Sequence, residues 1–328
     1  MKVLIIRFSS IGDIVLTSPL IRCVKEQLRA EEHYITKRQF VPILESNPNI
    51  DKVYSIEKNV SEVSKTLKNE NYDFVIDLHH NLRSAQVKTV LGKKSKSFAK
   101  LNIEKWLMVN LKMNRLPDVH IVDRYFEAVK PLGVLNDGNG LDYFIPEKDE
   151  VDLKSLPAVF QNGYIGFVIG AKYFTKQMPF EKIVSIIKKL NQPVILLGGK
   201  EDEDKANAII AKLQTPGSGL VFNACGKYNL NQSASLVRQA VKIIAHDTGL
   251  MHIAAAFKKE IISLWGSTIP EFGMSPYYGK DKISNLKSQI SNLSCRPCSK
   301  LGYTKCPKGH FKCMKEINEE EIIKFISA

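Results

Sequence analysis

Residues 241–256 read VKIIAHDTGLMHIAAA. The first five form an apolar run typical of a buried strand, and the last eight form an Ala-rich segment typical of a helix. The turn between them holds Asp247, Thr248 and Gly249, and it exposes backbone N–H groups at a helix N-terminus, where the helix dipole favours an anion. His252 lies one turn further on. The stretch predicts a strand–turn–helix unit with an anion site, although Asp and Thr also cap helices that bind nothing.

Apolar strands alternate with helical segments along the rest of the chain. The predicted strands are 3–7, 73–78, 164–169, 193–197, 241–245 and 260–265, and predicted helices 12–29 and 81–91 follow the first two. Continuous apolar strands between helices indicate a parallel sheet that is covered on both faces. Residues 131–163, rich in Gly, Asn, Asp and Pro, interrupt the pattern. We therefore predict an α/β protein of two Rossmann-like domains, 1–150 and 151–328, with ligands at the carboxyl ends of the strands.

Length and composition exclude several classes of protein. A chain of 328 residues with 44% hydrophobic content suits two globular domains. Its apolar stretches all fall short of the ~20 residues needed to span a bilayer, and the first apolar run is too short for a signal peptide. The sequence contains neither Gly-x-Gly-x-x-Gly nor a P-loop, which disfavours dinucleotide oxidoreductases and NTPases. We expect a cytoplasmic protein, at most peripheral to a membrane.

The net charge of +13 is concentrated in two segments. Residues 83–115 carry nine Lys or Arg against the single acid Glu104, and residues 295–315 carry six with no acid. Such patches suit nucleic acid, acidic lipid headgroups or a phosphorylated glycan, or they are solvated surface. Residues 105–113 (KWLMVNLKM) predict either an interfacial helix on an anionic membrane or a core helix whose lysines face water.

Four of the six cysteines lie close together in the sequence: Cys295, Cys298, Cys306 and Cys313. A Cys-x2-Cys pair with two further cysteines is a candidate zinc site, in which His310 can replace one ligand. The spacing differs from a zinc ribbon, and reduced, partly buried thiols are the alternative. A basic chain with a Cys-rich finger also leaves open a nucleic-acid-binding protein, although the aromatic residues do not follow an RRM or OB pattern.

Polar residues follow several predicted strands. Asp13 ends the segment RFSSIGD (residues 7–13), where a carboxylate can accept a proton from a substrate hydroxyl or simply favour a helix N-terminus. Lys172 and Lys176 follow a strand of the second half and can reach a phosphate. Glu201 follows the next strand, where it can bind ribose hydroxyls, or the turn is an ordinary loop.

Three motifs together carry a family resemblance: RFSSIGDIV at 7–15, DTGLMH at 247–252 and LWGST at 264–268. Over essentially its whole length the chain resembles glycosyltransferase family 9, the ADP-heptose:lipopolysaccharide heptosyltransferases. The resemblance implies the GT-B fold, two Rossmann-like domains whose parallel sheets face each other across a cleft. We expect the last helix, about 315–328, to pack back on the N-terminal domain.

The resemblance also implies an activity and its partners. A heptose, or a related sugar, moves from ADP-heptose to a phosphorylated, lipid-linked acceptor of the lipopolysaccharide core, with inversion and with no required metal or cofactor. The enzyme would work in the cytoplasm at the anionic inner face of the membrane, and nucleic acid is not an expected partner. Alternatives within the same fold are another nucleotide sugar with another acceptor glycan, or a nucleotide-sugar-binding protein that has lost catalysis.

Motif by motif, the resemblance makes Asp13 the catalytic base. It implies donor contacts from Lys176, Glu201, Asp247, Thr248, Gly249 and His252, and acceptor contacts from Ser10, Gly12, His79, Asn81 and Arg83. Two segments depart from the family pattern: Met178 stands where many members have Trp, and DLHHNLRS at 77–84 replaces a commoner motif. The second departure leaves the identity of the acceptor open.

Overall fold

The computed structural model describes residues 1–213, 219–280 and 286–328. The chain forms two compact units, each built on one parallel sheet. The first comprises Met1–Leu101, Val119–Phe144 and a short segment that begins at Tyr277; the second comprises Asn102–Asp118, Ile145–Pro276 and the C-terminal segment that ends at Ala328. Residues 102–118 thus pack with the second unit, whereas the sequence assigns them to the first domain.

The first unit is a five-stranded sheet in the order β3-β2-β1-β4-β5. Its strands are β1 (Lys2–Ile6), β2 (Glu31–Lys37), β3 (Lys52–Ile56), β4 (Phe74–Asp77) and β5 (Ser95–Ser97). Its helices are α1 (Ile11–Val15), α2 (Ser18–Leu28), α3 (Ser64–Asn69), α4 (Leu82–Leu91) and α6 (Ile121–Tyr125), while α5 (Asn102–Asn110) belongs to the second unit. The central strands are apolar on both faces because helices cover both.

The predicted helix 12–29 is two helices, α1 and α2. Pro19 sits in the first turn of α2, where its missing N–H breaks no helical hydrogen bond. The helix therefore restarts at Ser18. The resulting short α1 carries Asp13 in its first turn.

The second unit is a six-stranded sheet in the order β11-β10-β9-β6-β7-β8. Its strands are β6 (Ile165–Val168), β7 (Val194–Leu197), β8 (Val221–Asn223), β9 (Lys242–His246), β10 (Glu260–Trp265) and β11 (Lys287–Ile290). Besides α5, its helices are α7 (Ala158–Gln161), α8 (Phe180–Leu190), α9 (Glu203–Leu213), α10 (Leu230–Gln239), α11 (Gly249–Ala256), α12 (Lys312–Lys315) and α13 (Glu319–Ser327).

The last helix, α13, packs in the core of the second unit. Ile322, Phe325 and Ile326 are buried in the cluster that also holds the apolar face of α8. Glu319 accepts hydrogen bonds from Ser185 Oγ at 2.7 Å and Lys182 Nζ at 3.1 Å, both on α8. This packing differs from the expectation that the helix returns to the N-terminal domain. None of the helices in the described part of the chain has the length and apolar character that a bilayer crossing requires.

Each sheet reverses its strand order at one point. In the first sheet β2 and β4 lie on opposite sides of β1, and in the second sheet β7 and β9 lie on opposite sides of β6. The loops that follow the two strands at a reversal diverge and leave room for a ligand at the carboxyl ends of the strands. The two places to expect a ligand are therefore the loops after β1 and β4, and the loops after β6 and β9.

Candidate active site

The loops after β6 and β9 meet in the second unit. Lys176, in the 3-10 turn Phe174–Lys176, places its Nζ 2.5 Å from Asp247 Oδ2, directly after β9. Thr268 Oγ1, in the loop after β10, donates to the same oxygen at 2.9 Å. The side chains of Lys176 and Asp247 are only 15% and 12% exposed. A partly buried cation is thus fixed at the reversal of the sheet.

The helix α11 begins at the same place. Thr248 is its N-cap and Gly249 its first residue, so the first backbone N–H groups of an eight-residue helix point out of the turn. Thr248 Oγ1 is buried and has no hydrogen-bond partner among the described residues. The turn can therefore receive the oxygens of a phosphate from both backbone and side-chain donors. His252 is 2% exposed, unlike the other five residues expected to contact the donor.

Buried His246 and partly buried Lys205, which the sequence does not mark as site residues, hold the Lys176 loop. The Met178 N–H donates to His246 Nε2 at 3.0 Å, and burial, aided by Lys205, lowers the pKa of His246 to about 3. Lys205 Nζ lies 3.4 Å from the carbonyl oxygens of Ile169 and Met178, and burial lowers the pKa of Lys205. His246 is therefore a neutral hydrogen-bond acceptor. Its partner Met178 lies 68 residues away in the sequence, so no local sequence pattern predicts this contact.

A third contact explains the glycine in the LWGST segment. A Cβ on Gly266 would lie 2.1 Å from the carbonyl oxygen of Thr175. Because Gly266 has no Cβ, the Ser267 N–H can donate to the Thr175 carbonyl at 3.1 Å. The hydroxyl oxygens of Thr175 and Ser267 lie 2.9 Å apart. Gly266 thus allows the loops after β6 and β10 to meet in the backbone, one residue before Lys176.

Glu201 lies after β7 at the same edge of the sheet and is exposed. Its neighbour Asp202 is buried and accepts a hydrogen bond from the Gly199 N–H at 3.0 Å, and burial raises the pKa of Asp202. A Cβ on Gly170 would lie 2.0 Å from Asp202 Oδ2. Asp202 therefore fixes the turns after β6 and β7, whereas Glu201 is the acid that faces outward.

In the first unit the loops after β1 and β4 converge on Asp13. Its Oδ1 lies 2.5 Å from Arg7 Nη2, and its Oδ2 accepts from Ser10 Oγ at 2.6 Å and from the Ser10 N–H at 3.1 Å. Arg7 itself is buried and donates to the carbonyl of Leu78, in the loop after β4. The carboxylate is therefore held in one orientation, with its side chain 24% exposed.

The residues expected to bind the acceptor divide into two groups. His79 Nδ1 accepts from the Phe8 N–H at 3.4 Å, and the Arg83 guanidinium lies 5.6 Å from the centre of the Phe8 ring. Burial, together with the charges of Arg7 and Lys100, lowers the pKa of His79 to about 4. A neutral His79 that accepts through Nδ1 carries its proton on Nε2.

Asn81 and Gly12 have structural roles in the same region. Asn81 Oδ1 caps α4 by accepting from the Ser84 N–H at 2.9 Å. Gly12 is buried inside α1. Ser10, Asp13, His79 and Arg83 are thus the side chains that surround the Phe8 loop.

The four clustered cysteines do not form a closed metal site. Cys295 Sγ lies 3.9 Å from His310 Nε2, and Cys298 Sγ lies 3.1 Å from the Cys295 carbonyl oxygen. Burial raises the pKa values of Cys298 and Cys313 to about 11. Within the described residues, three ligand atoms lie within 4.8 Å of one another only at Glu31, His33 and Glu70. That acid pair already forms ion pairs with Lys2.

The basic helix α5 is not a core helix. None of its residues is buried, and Ile103 and Trp106 are 73% and 56% exposed. The interpretation of residues 105–113 as a core helix with wet lysines is therefore wrong.

A family model described as glycosyltransferase family 9 (heptosyltransferase) matches residues 60–304. The chain belongs to glycosyltransferase family 9. It is 26% identical over 297 residues to lipooligosaccharide heptosyltransferase 2 of Haemophilus ducreyi, covering 83% of this chain and 85% of that protein. The crystal structure of a family 9 glycosyltransferase from Veillonella parvula has a TM-score of 0.78 at 22% identity, covering 99% of this chain and 96% of that one.

A second solved structure, ADP-heptose lps heptosyltransferase II of E. coli, matches with a TM-score of 0.74 at 21% identity, covering 100% of this chain and 98% of that one. The expected GT-B class is confirmed, as is membership of glycosyltransferase family 9. The chain is therefore a glycosyltransferase, and the nucleic-acid-binding alternative is set aside. The individual site residues stay predictions.

Proposed function

We propose that this glycosyltransferase moves a heptose from ADP-heptose to a phosphorylated acceptor of the lipopolysaccharide core, with inversion at the anomeric carbon and without a metal ion. The observation that carries the proposal is the pairing of Lys176 with Asp247 beside the N-terminus of α11. The heptose, the ADP and the lipopolysaccharide in this proposal are taken from the names of the similar proteins.

The second unit supplies what a departing diphosphate requires. As the glycosidic C–O bond breaks, negative charge grows on the diphosphate, and donors that are already oriented stabilise that charge best. Lys176, the backbone N–H groups at Gly249 and the Thr248 hydroxyl are such donors. Together they take the role that a divalent cation plays in other nucleotide-sugar enzymes. Glu201, which is exposed after β7, would bind the ribose hydroxyls.

The first unit supplies the base. The acceptor hydroxyl gives its proton to an Asp13 carboxylate oxygen, its oxygen forms the new bond to the anomeric carbon, and the old C–O bond breaks with its electron pair leaving on ADP. Arg7 and Ser10 keep the Asp13 carboxylate in one orientation throughout. A single displacement of this kind inverts the anomeric centre. Neutral His79 and cationic Arg83, both beside Phe8, would bind the acceptor.

A thermal-shift panel of ADP-heptose, UDP-glucose and GDP-mannose tests the donor. A ligand at one hundred times its Kd stabilises the folded state by about 2.7 kcal/mol. We expect ADP-heptose to raise the Tm and the other two to leave it unchanged. A shift with UDP-glucose or GDP-mannose alone would favour a transferase for another nucleotide sugar.

A location in the cytoplasm at the inner membrane face stays a prediction.

A further inference from the structure

We propose that a groove of the second unit, between α5 and residues 299–303, binds an anionic sugar of the acceptor glycan. The groove has a volume of about 490 Å³. The assignment of its occupant to the acceptor rests on the proposed heptosyl transfer. None of the residues expected from the family resemblance lines this groove.

Aromatic rings stand exposed in the walls of the groove. Trp106, on α5, and Tyr303, in the segment 299–303, are 56% and 43% exposed, and Tyr173 also lines the groove. An indole or phenol ring offers a large apolar face with a polar edge. A sugar ring has the matching form, with C–H groups on its faces and hydroxyls around its rim.

The opposite wall is firmly built. The Tyr303 N–H donates to Thr175 Oγ1 at 2.8 Å, and the Tyr303 carbonyl accepts from the Thr175 N–H at 3.1 Å. Gly302 has φ +122°, and a Cβ there would lie 2.6 Å from Tyr173 Cβ. Close contact of the segment with Tyr173 therefore requires glycine, and the backbone of the wall is fixed to a buried threonine.

Two lysine hydrogen bonds link α5 and the residues just after it to the segment 297–300. Lys300 Nζ donates to Asn102 Oδ1 at 3.1 Å, and Lys112 Nζ, just beyond α5, donates to the Pro297 carbonyl at 2.7 Å. α5 has no buried residue, and these contacts help to hold it beside the groove. A concave site bounded by such links suits a defined small ring better than the flat surface of a bilayer.

Charge selects an anionic occupant. Lys105 and Lys300 line the groove, and its lining contains no acidic residue. The amides of Asn102 and Asn110 also line the groove and add hydrogen-bonding groups. A sugar that carries a carboxylate or a phosphate meets both requirements, since lysines bind such groups and the rings cover its apolar face.

The position of the groove favours the acceptor glycan. Tyr173, which lines the groove, immediately precedes the turn Phe174–Lys176. It is therefore only three residues from Lys176, the lysine assigned to the donor diphosphate. Thr175, in that turn, is the residue to which Tyr303 is bonded. A sugar of the acceptor glycan held in the groove would therefore lie beside the Lys176 loop, the donor half-site of the second unit.

Tryptophan fluorescence gives a direct test, because the chain has two tryptophans and Trp265 is fully buried. Acrylamide therefore quenches Trp106 selectively. The probe is deacylated lipopolysaccharide core oligosaccharide that retains its carboxylates and phosphates. We expect it to lower the quenching constant at least twofold, and we expect Lys300→Ala to weaken its binding about tenfold, equivalent to about 1.4 kcal/mol. Ile103→Ala, exposed on the same helix but outside the groove, is the matched control and should bind like wild type.

Steady-state kinetics tests the link to the acceptor. Trp106→Ala should raise the KM for the oligosaccharide about tenfold and leave the KM for ADP-heptose unchanged. A change in the donor KM alone would overturn the assignment to the acceptor. Protection of Trp106 by anionic phospholipid vesicles, without protection by the oligosaccharide, would overturn the sugar site in favour of a membrane surface. Protection by the oligosaccharide in a protein that binds no ADP-heptose would support the groove and contradict only the proposed donor.

Discussion

Replacing Lys176 with Met tests the donor half-site quantitatively. Met keeps most of the side-chain volume and removes the charge, so the change reports electrostatics more than packing. In the variant, the Asp247 carboxylate keeps the Thr268 hydroxyl but loses its cation. The diphosphate then meets an unbalanced negative charge in place of an ion pair.

The size of the effect follows from distance and burial. Both side chains are at least 85% buried, so an effective dielectric constant of about 20 is appropriate. A unit charge about 4 Å from the diphosphate is then worth about 4 kcal/mol, which corresponds to roughly 10³-fold. We expect Lys176→Met to lower kcat/KM for ADP-heptose by about 10² to 10³. The double variant with Asp247→Asn should recover about tenfold of that loss, since the repulsion is removed.

The assay is transfer from ADP-heptose under steady-state conditions, with ADP affinity measured by calorimetry. Lys172→Met is the matched control, because Lys172 lies in the same loop, is exposed and points to the Tyr173 ring. It should keep kcat/KM within about threefold of wild type. If Lys176→Met behaved like Lys172→Met, the assignment of Lys176 to the diphosphate would be refuted.

Three further changes have definite expected outcomes. Asp13→Asn should lower turnover by about 10² or more and leave ADP-heptose affinity unchanged by calorimetry, and near-normal turnover would remove Asp13 from the mechanism. Gly266→Ala should lower kcat/KM at least tenfold, because a Cβ 2.1 Å from the Thr175 carbonyl displaces the Lys176 loop; unchanged kinetics would show that the loop yields freely. Burial raises the pKa of Glu32 from 4.5 to about 9. The free energy of unfolding is therefore highest below about pH 4.5, where Glu32 is protonated in both states, and it falls as the pH rises towards 9. In urea unfolding, the free energy of unfolding of the uncharged variant Glu32→Gln, relative to that of wild type, should rise by about 1.4 kcal/mol per pH unit between pH 5 and 8. A difference that does not change with pH would contradict a buried neutral Glu32.

The strands that the sequence predicts are those buried on both faces. β1, β4, β6, β7, β9 and β10 are continuous apolar runs, so their composition alone indicates parallel strands. β2 was not predicted because its sequence EEHYITK mixes charged and apolar residues, although Glu32 and His33 are both buried. β5 and β11 lie at sheet edges and are polar, so they carry no hydrophobic pattern.

The candidate site was predictable where one loop carries the chemistry. Asp13, Lys176 and Asp247 each lie within seven residues after a predicted strand, and the strand order brings Lys176 and Asp247 together. The residues that hold those loops were not predictable from local sequence. His246 serves Met178, and Thr175 serves Tyr303 across 128 residues, so only the tertiary structure pairs them.

The most direct test of the central claim is the stereochemistry of the product. The wild-type enzyme, ADP-heptose and deacylated core oligosaccharide are incubated with EDTA, and the new glycosidic linkage is identified by NMR. We expect transfer in the presence of the chelator, with an anomeric configuration opposite to that of the donor. A product that retains the donor configuration, or transfer that stops until a divalent cation is restored, would contradict a single displacement assisted by Asp13 and Lys176.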